Sequence, residues 1–171
     1  VDGASGERAV VASSDVGSGP ALTNAIAMSV DPSGTKAYVL RVYQDEVIEV
    51  TLATGARRQI LAAQASPRFT DPRHIAWVGA PTAADSADGG TLVVEDDTAL
   101  VRVDPATGAK AVLAGDGLPD VLPIRGVYGL GGSPLGLLLV DYVPEWETPP
   151  QRAPMLFALD PVLGTRVFLA R

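Results

Sequence analysis

Short runs in which apolar and polar residues alternate recur along this chain in a constant order. Ile48-Glu49-Val50, Val101-Arg102-Val103 and Phe157-Ala158-Leu159 set apolar residues two apart, the period of a strand with one buried face. Each run leads into the same turn signal: Val50-Thr51-Leu52-Ala53-Thr54-Gly55-Ala56-Arg57, Val103-Asp104-Pro105-Ala106-Thr107-Gly108-Ala109-Lys110 and Leu159-Asp160-Pro161-Val162-Leu163-Gly164-Thr165-Arg166. Val1-Asp2-Gly3-Ala4-Ser5-Gly6-Glu7-Arg8 opens the chain with a fourth copy. The glycines at 6, 55, 108 and 164 lie 49, 53 and 56 residues apart. That period suits a unit of four strands and is too long for most helical repeats. The turn has a physical reading: Asp or Thr ends the strand and bonds nearby amides, glycine supplies a positive φ, and a second strand leaves through Arg or Lys.

Two further apolar runs precede each hairpin. Ile26 to Val30, Ile75 to Val78 and Val127 to Leu130 predict short inner strands. Turn residues follow at Asp31-Pro32-Ser33-Gly34, Gly79 to Gly90 and Gly131 to Pro134, and then second strands at Lys36 to Arg41, Thr91 to Glu95 and Leu135 to Asp141. Each repeat therefore reads as four antiparallel strands. Helix formers cluster from Arg57 to Ala65, but the matching positions Ala111-Val112-Leu113 and Val167-Phe168-Leu169 favour a strand.

Leu52-Ala53-Thr54-Gly55-Ala56-Arg57 resembles the recurring Asp-Leu-Ala-Thr-Gly-Ala-Arg segment of NHL-type β-propeller repeats in bacterial extracytoplasmic proteins. Pro72-Arg73-His74-Ile75-Ala76 and, more loosely, Ile124-Arg125-Gly126-Val127 resemble the opening of such a blade. The resemblance implies an all-β propeller fold: blades over 21–62, 68–114 and 121–171, preceded over 1–12 by the outer strand of another blade, in one region spanning 1–171. It also implies a ring of about six blades and an extracytoplasmic location in a bacterium. Three blades do not close a ring, so the remaining blades are expected from a longer polypeptide or from a second copy. A chain that starts at Val1 without Met favours an excised or processed piece. His74 stands where the family has a small residue. Asp141 keeps the acidic residue after the second strand, whereas Arg41 and the Glu95-Asp96 pair depart from it.

Composition narrows the chemistry. With 47% apolar residues among 171, the chain has material for a core. A net charge of −7, with no basic run longer than Arg57-Arg58, argues against a nucleic-acid partner. The apolar stretch around Leu135 to Val140 is far shorter than the roughly 20 residues of a membrane helix. The absence of cysteine removes disulfides, thiolate catalysis and Cys-ligated metals.

Candidate site residues come from the long loops Ser13 to Ala25, Ala63 to Arg73, Gly115 to Arg125 and Tyr142 to Pro154, which share one face of a propeller. Arg73 and His74, beside Arg125, are placed to hold an anionic ligand at the channel mouth. Asp141, Tyr142, Glu145 and Trp146 begin a proline-stiffened arm suited to a contact surface. The plainer alternatives are that the arginines pair with Asp71, Asp96 or Asp141 and that Trp146 folds back over its own blade. No catalytic residue is assigned: there is one histidine, Gly131-Gly132-Ser133-Pro134-Leu135 lacks the last glycine of a nucleophile elbow, and no phosphate loop occurs. No cofactor is expected. Asp85-Ser86-Ala87-Asp88-Gly89-Gly90 is the calcium candidate, but it lacks the alternating oxygen spacing and distal Glu and reads as a solvated turn. The leading expectation is a non-enzymatic binding scaffold for a protein, peptide or glycan. The alternatives are a metal-dependent lactonase- or lyase-type propeller enzyme, and a structural assembly subunit.

Overall fold

The computed structural model of the chain describes residues 5–42, 46–60, 68–79, 90–97, 99–115, 127–132, 138–142, 155–160 and 166–170. These residues form three four-stranded antiparallel sheets. Blade 1 comprises β1 (Ala25–Val30), β2 (Lys36–Arg41), β3 (Glu46–Thr51) and β4 (Arg57–Ile60) in spatial order. Blade 2 comprises β5 (Pro72–Gly79), β6 (Gly90–Asp96), β7 (Ala99–Val103) and β8 (Lys110–Gly115), and blade 3 β9 (Val127–Gly132), β10 (Leu138–Tyr142), β11 (Met155–Leu159) and β12 (Arg166–Ala170). The four strands expected of each of the three blades form. Of the helix formers after Gly55, Arg57 to Ile60 form β4, completing the ladder of β3 from Val50↔Arg57 to Val47↔Ile60.

The repeated turn is built as its residues predict. Gly55 and Gly108 adopt φ of +68° and +72°, a region closed to most side chains. Their amides donate to the carbonyls of Thr51 and Asp104 at 2.8 and 2.7 Å. Asp104 also accepts the Ala106 and Thr107 amides at 2.7 and 3.1 Å, and the Thr54 and Thr107 hydroxyls each accept the amide two residues on. Gly164 lies outside the described residues.

Residues 5–12 carry no strand among the described residues. The end of this segment and the loop after it meet blade 1. Ala12 and Leu22 pack on Ala37, Val39, Ile48 and Val50. Arg57 gathers the loop: its guanidinium Nη1 donates to the Ser13 carbonyl at 2.5 Å and the Val16 carbonyl at 3.1 Å, and its amide to the Ser18 carbonyl at 2.7 Å.

The blades pack face to face near their inner strands. Tyr38, Leu40, Val47 and Ile60 of blade 1 form one cluster with Ile75, Trp77, Leu92 and Val94 of blade 2. Ala76, Val78, Val93 and Leu100 of blade 2 meet Leu159 and Leu130 of blade 3 in a second cluster. Alternate positions of β5 and β6 thus serve opposite neighbours, as the two-residue period of a strand requires.

Ladder register also settles which positions correspond between blades. Val50, Val103 and Leu159, the same motif position, stand opposite Ala37, Leu92 and Leu138. Counting along the second strands, Leu40, Glu95 and Asp141 are equivalent, and they face Ala27, His74 and Gly129 of the inner strands. Asp141 therefore corresponds to Glu95 and Leu40, one position before Arg41.

Candidate functional site

In blades 1 and 2 the residue after this position braces the chain as it enters an inner strand. In blade 1 Arg41 donates from Nε to the Thr23 carbonyl at 2.9 Å and pairs with Glu46 at 2.7 Å. In blade 2 Asp96 does the same work with opposite polarity. Its Oδ1 accepts the amides of Thr70 and Asp71, each at 2.7 Å. The Asp97 amide, on a residue with φ of +51°, donates to the Asp71 carbonyl. Phe69, under Lys110 Nζ at 3.8 Å from its ring, anchors the other end of this short segment in the core. The approach to β5 is thereby held before any ligand arrives.

On that frame stand Arg73 and His74. Arg73 pairs with Asp71 at 2.6 Å, with both side chains about half exposed, so its charge is already matched. His74 Nδ1 lies 3.1 Å from Glu95 Oε2. The imidazole is 35% exposed, while the Glu95 side chain is 1% exposed. The second oxygen of Glu95, Oε1, is buried and has no hydrogen-bond partner among the described residues. Burial pushes the Glu95 carboxyl above its ordinary range; the His74 hydrogen bond and the charges of His74 and Arg73 oppose that shift, and Asp71 adds to it. A buried carboxylate on Nδ1 fixes the ring and leaves Nε2 as the nitrogen for a ligand.

Arg73 and His74 lie at the start of β5. Asp141 and Tyr142 lie on β10, opposite Gly129 and Val127. Arg125, Glu145, Trp146 and the Asp85–Asp88 turn fall outside the described residues. Sequence reasoning missed Glu95 as the partner of His74. The signal was an acidic residue closing the apolar run Leu92-Val93-Val94, with the same parity as the buried Val93. Among the described residues no group of three or more His, Asp or Glu side chains converges to hold a metal ion.

No family model and no curated protein matches the sequence. Solved structures do. Over 85% of its length the chain is similar to 48% of a chain of the nidogen/laminin complex, with a TM-score of 0.58 and 16% identity. It is also similar, at 17% identity and a TM-score of 0.51, to an auxiliary nutrient binding protein from Bacteroides thetaiotaomicron, with 66% of this chain on 33% of that one. A chain of Kuenenia stuttgartiensis hydrazine synthase matches with a TM-score of 0.50 and 18% identity, 84% of this chain covering 37% of it. The fold is that of a β-propeller segment. The propeller segment spans about half or less of the solved chains it matches. No helix among its described residues is long and apolar enough to cross a membrane.

Proposed function

We propose that this propeller segment belongs to an extracytoplasmic binding module that recognises a protein, peptide or glycan on the face where the inner strands begin. One observation carries the reading: the partly exposed His74 imidazole is anchored on a buried carboxylate at the start of β5. An ordered, partly open polar group on a rigid strand suits recognition better than a mobile surface side chain. The surrounding charge refines the ligand. Asp71, Glu95, Asp96 and Asp97 outnumber Arg73 and His74, and Arg73 is matched by Asp71. A neutral hydrogen-bonding ligand, such as a peptide amide or sugar hydroxyl, fits this balance better than the anion expected from Arg73 and Arg125. The arm from Asp141 and Tyr142 to Glu145 and Trp146 is proposed to flank the same ligand.

A His–carboxylate pair is also half of a general-base or metal-binding arrangement, which is what favours the enzymatic alternative. That alternative requires further ligands or a nucleophile beyond His74 and Glu95.

Peptide and glycan arrays probed with the intact protein test the proposal. Capture is expected, and His74→Ala is expected to weaken it about tenfold, roughly 1.4 kcal/mol. Capture left unchanged by both His74→Ala and Trp146→Ala would remove the face from the proposal.

A further inference from the structure

Blade 2 departs from blade 1 at one cross-strand pair. Leu40 of β2 stands opposite Ala27 of β1, and both pack in the cluster shared with blade 2. The equivalent pair one blade on is Glu95 opposite His74. An apolar pair thus satisfies the fold at this place, and burying a carboxylate there costs stability. Val93, Ala76 and Val78, on the same face of β6 and β5, meet Leu130 and Leu159 of blade 3. The His74–Glu95 pair therefore stands at the end of the seam between blades 2 and 3.

The geometry fixes where its proton sits. Glu95 Oε1 has no partner among the described residues, and Oε2 lies 3.1 Å from His74 Nδ1. With a proton on Nδ1 the ring donates to the carboxylate. With Nδ1 bare, two lone pairs would face each other, and the buried carboxylate would lose its donor. Moving the proton onto the carboxyl runs against the ordinary order of acidity, in which a carboxylic acid releases its proton before an imidazolium. Burial narrows that gap, and the hydrogen bond of His74 and the charges of His74 and Arg73 work against the narrowing. A proton on Nδ1 leaves Nε2 with an open lone pair.

We propose that Glu95 is a positioning residue that makes His74 a hydrogen-bond acceptor toward the ligand, so that the group recognised at this seam is the hydroxyl donor of a glycan. The inference rests on the reading of this face as a recognition surface and names the group that complements it. The surroundings are rich in acceptors: Asp71, Glu95 and Asp97 gather around Arg73, with the Asp71 side chain half exposed and Asp97 exposed. A sugar presents hydroxyl donors on neighbouring carbons and so meets several acceptors at once. A peptide brings one N–H per residue, each beside a carbonyl that this surface repels.

His74 is the only histidine of the chain, so the imidazole nitrogen resonances of the 15N-labelled protein read its tautomer directly. At neutral pH a protonated Nδ1 and a bare Nε2 are expected. A proton on Nε2, alone or together with one on Nδ1, overturns the proposal in the wild-type protein without recourse to a variant. Glu95→Gln offers the ring either an oxygen or an NH2 group. The Nε2–H form should then appear, and glycan capture should weaken about threefold to tenfold, the worth of one neutral hydrogen bond. An unchanged tautomer in Glu95→Gln overturns the role of Glu95. O-methylation, which removes a donor and keeps an acceptor, should abolish capture of an arrayed glycan at one particular hydroxyl. Capture of peptides alone, or of glycans indifferent to every O-methylation, overturns the ligand class. Arrays that capture nothing overturn the recognition reading and the glycan with it, and the tautomer decides the role of Glu95 separately.

Discussion

The Trp77 indole lies stacked on the Tyr38 ring, with centroids 5.1 Å apart and planes 14° from parallel. This pair closes the seam between blades 1 and 2, and the Trp77 amide adds a 2.8 Å hydrogen bond to Ser29 Oγ across the same seam. Both rings are nearly or fully buried. Trp77→Ala is therefore expected to lower the unfolding free energy by about 3–5 kcal/mol, the usual cost of an aromatic cavity. Urea denaturation measures it, and a loss under about 1 kcal/mol would mean that the blades are held together elsewhere.

Gly90 opens β6 directly against this indole. A Cβ there would collide with the Cζ2 and Cε2 atoms of Trp77, in a core that has little room to yield. Gly90→Ala should cost about 1–3 kcal/mol as an overpacking change. In a Trp77→Ala background the same substitution should cost much less, and a double-mutant cycle reads the difference.

Arg57 and Arg58 are adjacent but unequal. Arg57 ties the 13–18 loop to blade 1 through two carbonyls, whereas Arg58 makes a half-exposed ion pair with Glu49 at 2.9 Å and a bond to the Pro105 carbonyl at 3.1 Å. Arg57→Ala is expected to cost about 1.5–3 kcal/mol, as for bonds to a charged donor. It should also speed proteolysis within residues 13–18. Arg58→Ala should cost about 0–1 kcal/mol. Equal effects of the two substitutions would show that the loop is not held by Arg57.

Glu95 links the site to pH. Its carboxyl is raised in the folded state, chiefly by burial, so folding favours the protonated form. The stability it contributes is present below the ordinary glutamate pKa of about 4.3 and is lost as pH rises through the elevated folded value. Glu95→Gln should consequently raise the melting temperature at neutral pH, and the gain should shrink as pH falls toward about 4. A pH-independent difference between the two proteins would place the effect in packing rather than in the buried charge.

Asp31 behaves in the opposite sense. Burial raises its pKa, but the hydroxyl of Ser33, the Lys36 amide at 2.8 Å, and the Thr35 hydroxyl and amide outweigh it and lower the value. A lowered pKa gives stability present above about 3.9 and lost as pH falls through the folded value. Asp31→Ala is expected to cost about 1 kcal/mol at neutral pH, with the cost disappearing in acid.

The strands and turns of this propeller segment were legible in its sequence because their causes are local. Two-residue alternation, glycine at a positive φ and Asp or Thr bonding its own turn all act within a few residues, so twelve strands in three sheets followed from the repeat. His74 and Arg73 were legible as neighbours at a strand start for the same reason. Tertiary structure alone decided what those residues meet. Glu95 is 21 residues from His74, and only the β5–β6 register sets them opposite each other. Only the packing of blade 1 sets Ala12, with Leu22, on Ala37, Val39, Ile48 and Val50. Met28 and Trp77 look alike in an apolar pattern, yet Met28 is exposed and Trp77 is buried against Tyr38 of blade 1.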